Sequence, residues 1–174
     1  HRRRGFEFDM MMYEILRRWR IDIPKELKAK CHPSLSPNIV KPSAFFLVHS
    51  NTGDTIAEEM KESLETLGQH VMDRMDDKSI VLVVLTGGVL EDEACLVAIE
   101  KAFQKGNAIQ YVMSFEAGWK FEEGKNDREK KCRNRLVNIE VMIYRGKGGN
   151  REYEHNRMMH EMMKRLKSNK DTAK

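Results

Sequence analysis

The sequence predicts a three-layer α/β fold, a parallel sheet of four or five strands with helices on both faces. Three observations carry that expectation. Short apolar runs bounded by turn residues recur along the chain, most clearly IVLVVL at residues 80–85, as expected of strands buried on both sides. Segments with apolar residues at helical spacing alternate with these runs, the pattern of parallel strands joined by crossover helices. The 174 residues, 40% hydrophobic and 33% charged, suit one compact domain with extensions, and no apolar run approaches the roughly 18 residues of a membrane-spanning helix.

In order, residues 8–21 place Phe8, Met11, Met12, Ile15, Leu16 and Trp19 on one helical face, an amphipathic helix expected to dock rather than stand free. The alternative for such a basic helix is a membrane-surface or calmodulin-type target. Four prolines between residues 24 and 42 predict an extended connector, with a domain boundary near Pro42. The expected division is residues 1–42 as helix and connector, and 43–174 as the α/β domain with its C-terminal helix.

Residues 44–50, AFFLVHS, read as a first buried strand, followed by the turn Asn51-Thr-Gly-Asp54. Ile56, Met60, Leu64 and Leu67 then mark a helix that Gly68 closes, or that continues through Val71 and Met75 to about Asp76. Residues 79–86 form the strongest strand, a helix covers about 91–104 with Gly106 as its stop, and residues 108–113 form a third strand. In the charged stretch 115–135, Trp119 and Phe121 pack and a short helix covers 127–135. Residues 137–144 read as a fourth strand, 146–149 as a turn, and Tyr153, Met158, Met159, Met162, Met163 and Leu166 as a closing helix.

Charge is partitioned. Residues 1–43 hold 10 Lys and Arg against 5 Asp and Glu, residues 44–144 hold 12 against 18, and residues 145–174 hold 9 against 4. The ends are basic and the middle acidic. Without interleaved aromatics on one basic surface, nucleic acid is not an expected partner. The three cysteines, Cys31, Cys95 and Cys132, are odd in number and widely spaced, so neither a disulfide framework nor a metal site is expected and a reducing compartment is. The chain starts at His1, which reads as a piece of something longer.

Open α/β sheets bind ligands outside the carboxyl ends of their strands. His49, Ser50, Asp54, Thr86, Gly87 and Gly88 are therefore the candidate ligand-binding residues. Ser50, Asn51, Gly53 and Asp54 precede a helix N-terminus whose N–H groups suit a phosphate or serve only turn and capping roles. Gly87 and Gly88 admit a ligand to the backbone or make a tight turn. His49 stands at a strand end as a candidate base. Cys95 reads as a small core hydrophobe, and Arg145, Lys147 and Arg151 as a basic cluster for phosphates or a solvated loop.

The strand AFFLVHS with its acidic turn resembles the first strand of Toll/interleukin-1 receptor (TIR) domains. Residues 79–86, then Gly88-Val-Leu90 and Cys95, resemble that family's third strand and the turn into its helix; residues 102–113 continue the similarity, which spans about 44–145. The resemblance implies a flavodoxin-like fold and a cytoplasmic module of innate-immune signal transduction that binds other TIR-like domains or itself. Family members that cleave NAD carry a glutamate three residues after the Cys of a Trp-Cys pair. The matching positions here are Ala98 and Ala94, and Glu100 lies about 200° further around the helix. No catalytic residue and no cofactor are therefore expected. The alternative is an NAD(P)-cleaving hydrolase, with NAD as substrate and a displaced carboxylate such as Glu93 or Glu100, or Glu91 or Asp54. Only 28 residues separate Ser50 from Ser79, short for the family's second strand, BB loop and following helix.

Overall fold

The computed structural model describes residues 2–31, 43–120, 124–137, 141–144, 146 and 152–171. The chain divides into two compact units, the first formed by His1–Lys41 with Arg145–Lys174 and the second by Pro42–Tyr144. The last helix thus groups with the N-terminal segment, whereas the order of elements in the sequence puts it in the α/β domain.

The first unit holds α1 (Arg2–Arg18), α2 (Lys25–Cys31) and α6 (Glu152–Asp171). Helix α2 occupies ground that the prolines mark as extended connector. Its Pro24 precedes the first turn, where a missing N–H costs no helical bond, and the Pro24 carbonyl accepts from Lys28 N–H. The remaining connector prolines lie outside the described residues. Helix α1 buries Tyr13 with Cys31, Ile23 and Leu27, and of the expected face Met12, Ile15 and Leu16 are half-buried. Phe8, Met11 and Trp19, expected to dock, are exposed. On α6, Met158, Met159, Met162 and Met163 are buried as expected. The side chains of Tyr153 and Leu166 lie outside the description.

The second unit is a five-stranded, wholly parallel sheet: β1 (Ala44–Val48), β2 (His70–Val71), β3 (Ile80–Leu85), β4 (Ile109–Met113) and β5 (Met142–Ile143), in the order β2-β1-β3-β4-β5. This is the flavodoxin-like arrangement. All six residues of β3 are buried, which is why that run has no alternation. Val81, Val83 and Leu85 join Val48, Tyr111 and Met113 against Cys95, Leu96, Ile99 and Ala102 of α4 (Glu93–Lys105) and Cys132 and Leu136 of α5 (Asp127–Val137). By the two-residue period, Ile80, Leu82 and Val84 turn to the opposite face. Right-handed crossovers put α3 (Asp54–Thr66) there, because β1 to β2 and β3 to β4 run in opposite directions across the sheet.

Helix α3 ends where Gly68 adopts φ +71°. Gly68 N–H donates to Glu65 O and Gln69 N–H to Leu64 O, both at 2.9 Å, the six-to-one closure that favours glycine. The alternative of one helix to Asp76 is thereby corrected: a second strand exists, though of two residues. Buried Gln69 ties it in, its Oε1 accepting from Ser43 N–H at 3.0 Å. Residues 72–79 then cross to β3 without a helix. Their turn is pinned to the α4–β4 corner by Asn107 Nδ2, which donates to Asp76 O and Ser79 O at 2.9 and 2.8 Å. Of the expected strand over residues 137–144, Val137 belongs to α5 and Met142–Ile143 form β5; residues 138–140 lie outside the description, as do Phe121, Arg145, Lys147 and Arg151.

Candidate functional site

β1 and β3 are neighbours, and the helices that follow them leave on opposite faces, so their carboxyl ends form the sheet's topological switch point. Three hydroxyls meet there. Ser50 Oγ lies 2.9 Å from Thr52 Oγ1 and 3.1 Å from Thr86 Oγ1, and the two threonine hydroxyls are 3.0 Å apart. Thr52 Oγ1 donates to the Gly87 carbonyl at 2.5 Å. The loops after β1 and β3 are thus joined by side chains that bond each other, and a ligand reaching these hydroxyls would have to replace those bonds.

Glycine makes the joint possible. A Cβ on Gly53 would stand 3.2 Å from Thr86 Oγ1 and 3.3 Å from His49 Cβ, and one on Gly87 would stand 3.2 Å from the Gly118 carbonyl oxygen. Gly87 N–H donates to Ala117 O at 2.8 Å. The close approach at Gly87 is made by the loop after β4, and Gly88, at φ +82°, serves the turn that buries Val89 and Leu90. In the β4 loop Ser114 Oγ accepts from Ala117 N–H at 3.2 Å.

At the rim, His49 Nδ1 and Asp54 Oδ1 are 3.0 Å apart, with both side chains partly in solvent. Behind them Cys95 Sγ donates to the His49 carbonyl at 3.1 Å. Burial first, and then the Asp92 carboxylate, push the Cys95 thiol up to about 12. It stays protonated and unreactive, the core role read from its position. Asp92 caps α4 by accepting from Cys95 N–H at 2.9 Å.

The other acids that the sequence singles out on and before α4 are held by cations. Arg128 of α5 donates to Glu100 through Nε at 2.7 Å and Nη2 at 2.6 Å, and to Glu93 through Nη1 at 2.5 Å. Hydrogen bonding to Arg128 holds the Glu100 carboxyl below the ordinary range, aided by the charges of Arg128, Lys131 and Arg135. Glu91 pairs with Lys125 at 2.7 Å. Ala98 packs against the hydrophobic core. Of the sequence-chosen residues, the fold therefore brings His49, Ser50, Asp54, Thr86 and Gly87 together and places Glu93 and Glu100 on an ion-paired α4–α5 seam.

Sequence reasoning missed Thr52 and Arg128. Thr52 carries a local signal, a hydroxyl two residues after Ser50 in a turn; Arg128 has none, its partners lying 28 and 35 residues away. Among the described residues no group of three or more His, Cys, Asp or Glu is placed to hold a metal ion. No family model matches the chain, and no curated protein is significantly similar to it in sequence.

Proposed function

We propose that the unit Pro42–Tyr144 is a TIR-like interaction module, assembling with similar domains or with itself in cytoplasmic signalling, and that it does not cleave NAD. The observation that carries this reading is the position three residues after Cys95. It holds Ala98, half-buried against the core, so no carboxylate stands where the family resemblance requires one to meet a developing positive charge on ribose. Glu93 and Glu100 supply no replacement while Arg128 holds both. The hydroxyls of the switch point spend their bonds on one another, which suits a rigid scaffold for loops better than an open substrate site.

A second reading, hydrolysis of NAD or NADP, is favoured by one feature: Asp54 paired with His49 at the carboxyl end of β1. The two readings separate on incubating the full chain with NAD and with NADP and measuring nicotinamide by chromatography. The first expects no release above the buffer blank. Release abolished by Asp54→Asn and retained in Glu100→Gln would replace it with the second.

A further inference from the structure

β1 and β2 are unequal partners. β1 runs for five residues and β2 for two, and their pairing covers only Ala44 and Phe45. On its other side β1 pairs with β3 from Phe45 to Val48. Among the described residues, the carboxyl half of β1 therefore has a neighbouring strand on one side only. The Ser43 carbonyl accepts from His70 N–H at 3.0 Å and the Phe45 carbonyl from Met72 N–H at 2.7 Å, so odd-numbered residues of β1 turn their main-chain groups toward β2. Leu47 is next in that alternation, and β2 ends before reaching it. Its N–H and C=O face a gap in line with β2, about 10 Å long beside residues 46–48.

The gap has apolar borders. The strand beside it reads Phe45-Phe-Leu-Val48, with none of the lysine, proline or inward charge that guards a free sheet edge. It has the composition of a strand paired on both sides. On the α4 side Phe46 and Ala98 are partly buried against the core, and Ala94, one helical turn before Ala98, is exposed. These alanines lie on the flank of α4 away from α5: Lys105, on the same flank, bonds Asp77 in the chain after β2, whereas Glu93 and Glu100 turn to Arg128. On the opposite face of the sheet Leu47 is half-buried, and Met72, just past β2, is 41% exposed.

We infer that this gap takes an extended segment of a partner protein, with apolar residues at alternate positions, which adds to the sheet as a strand in line with β2. The occupant is a strand and not a helix, because only an extended main chain leaves N–H and C=O groups free to meet those of Leu47. Such a strand also sends its side chains alternately to the two borders. Binding of this kind does not require the unit to assemble with itself.

The test uses the full chain and a fluorescein-labelled peptide of alternating valine and threonine with a lysine at each end. Its anisotropy should rise to saturation with added chain. Exchange of the Leu47 amide hydrogen, followed by NMR, should be fast in the free chain and slow about tenfold or more when peptide is bound. Methylating either the valine or the threonine amide nitrogens blocks one edge of the peptide at a time. One of these two peptides should bind about tenfold or more weakly, and the other should keep its affinity. Ala98→Leu, which fills the α4 border with a good helix former, should keep the melting temperature and bind the unmethylated peptide about tenfold more weakly. Equal binding of the two methylated peptides overturns the inference, as does no binding of the unmethylated one. A Leu47 amide already protected in the free chain overturns it too, because a segment of this chain or a second copy then fills the gap.

Discussion

Thr86 concentrates the chemistry of the switch point in one side chain. It is fully buried, and its hydroxyl meets both Ser50 and Thr52 across 36 and 34 residues of sequence. Thr86→Val keeps the shape and removes that meeting point, while Ser50 and Thr52 keep their bonds to each other and to the Gly87 carbonyl. The expected loss is about 0.5–1.5 kcal/mol of stability, read as a lower urea midpoint of the full chain, with Thr86→Ser restoring most of it. An unchanged midpoint for the valine variant would mean that the hydroxyl cluster does not hold the loops. Much at this scale is legible in the sequence: Ser50, His49, Asp54 and Thr86 stand out because strand ends in an open α/β sheet are where loops converge. Reciprocity is what stays hidden. A sequence shows that Gly87 permits a close approach, but the backbone at residues 117–118 that approaches is fixed only by tertiary packing.

Among the elements, β3 and α4 are legible because each is governed by burial along its own length, an unbroken apolar run in one case and an inward stripe ending at Gly106 in the other. β2 is not, since two residues at a sheet edge, exposed and half-buried, leave no periodicity. Helix α1 is legible only in part: Met12, Ile15 and Leu16 of its apolar stripe are half-buried while Phe8, Met11 and Trp19 are exposed, and the most buried residue, Tyr13, lies off that stripe. The seam between α4 and α5 is an electrostatic contact with a testable pH dependence. The Glu100 carboxyl is held below the ordinary glutamate range, by the Arg128 hydrogen bond first. A group depressed in the folded state contributes stability above its unfolded pKa and loses it as pH falls through the folded value. Glu129 behaves alike: burial works against its charge, but bonds from Lys125 N–H and Arg133 outweigh that and lower it. Between about pH 6 and about pH 3 the intact chain should therefore lose stability more steeply than Arg128→Ala, measured as urea midpoints across that range. Parallel curves would show that the Arg128 clamp does not contribute.

For the whole molecule, the order β2-β1-β3-β4-β5 agrees with the fold class that alternating strand and helix signals predict. The grouping of α6 with α1 and α2 does not follow from sequence order, because which surface a methionine-lined helix covers depends on distant partners rather than on its own spacing. Chain length between β1 and β3 explains the largest simplification: residues 72–79 leave no room for a crossover helix, so the sheet has α3 on one face and α4 and α5 on the other. In the proposed reading, this scaffold lacks a placed catalytic carboxylate and acts by assembling with its own kind. Sedimentation velocity of the full chain, over a wide range of protein concentration, tests that claim most directly. Self-assembly predicts a weight-average sedimentation coefficient that rises with concentration as monomers associate, unchanged by added NAD. A coefficient that stays at the monomer value throughout would contradict it.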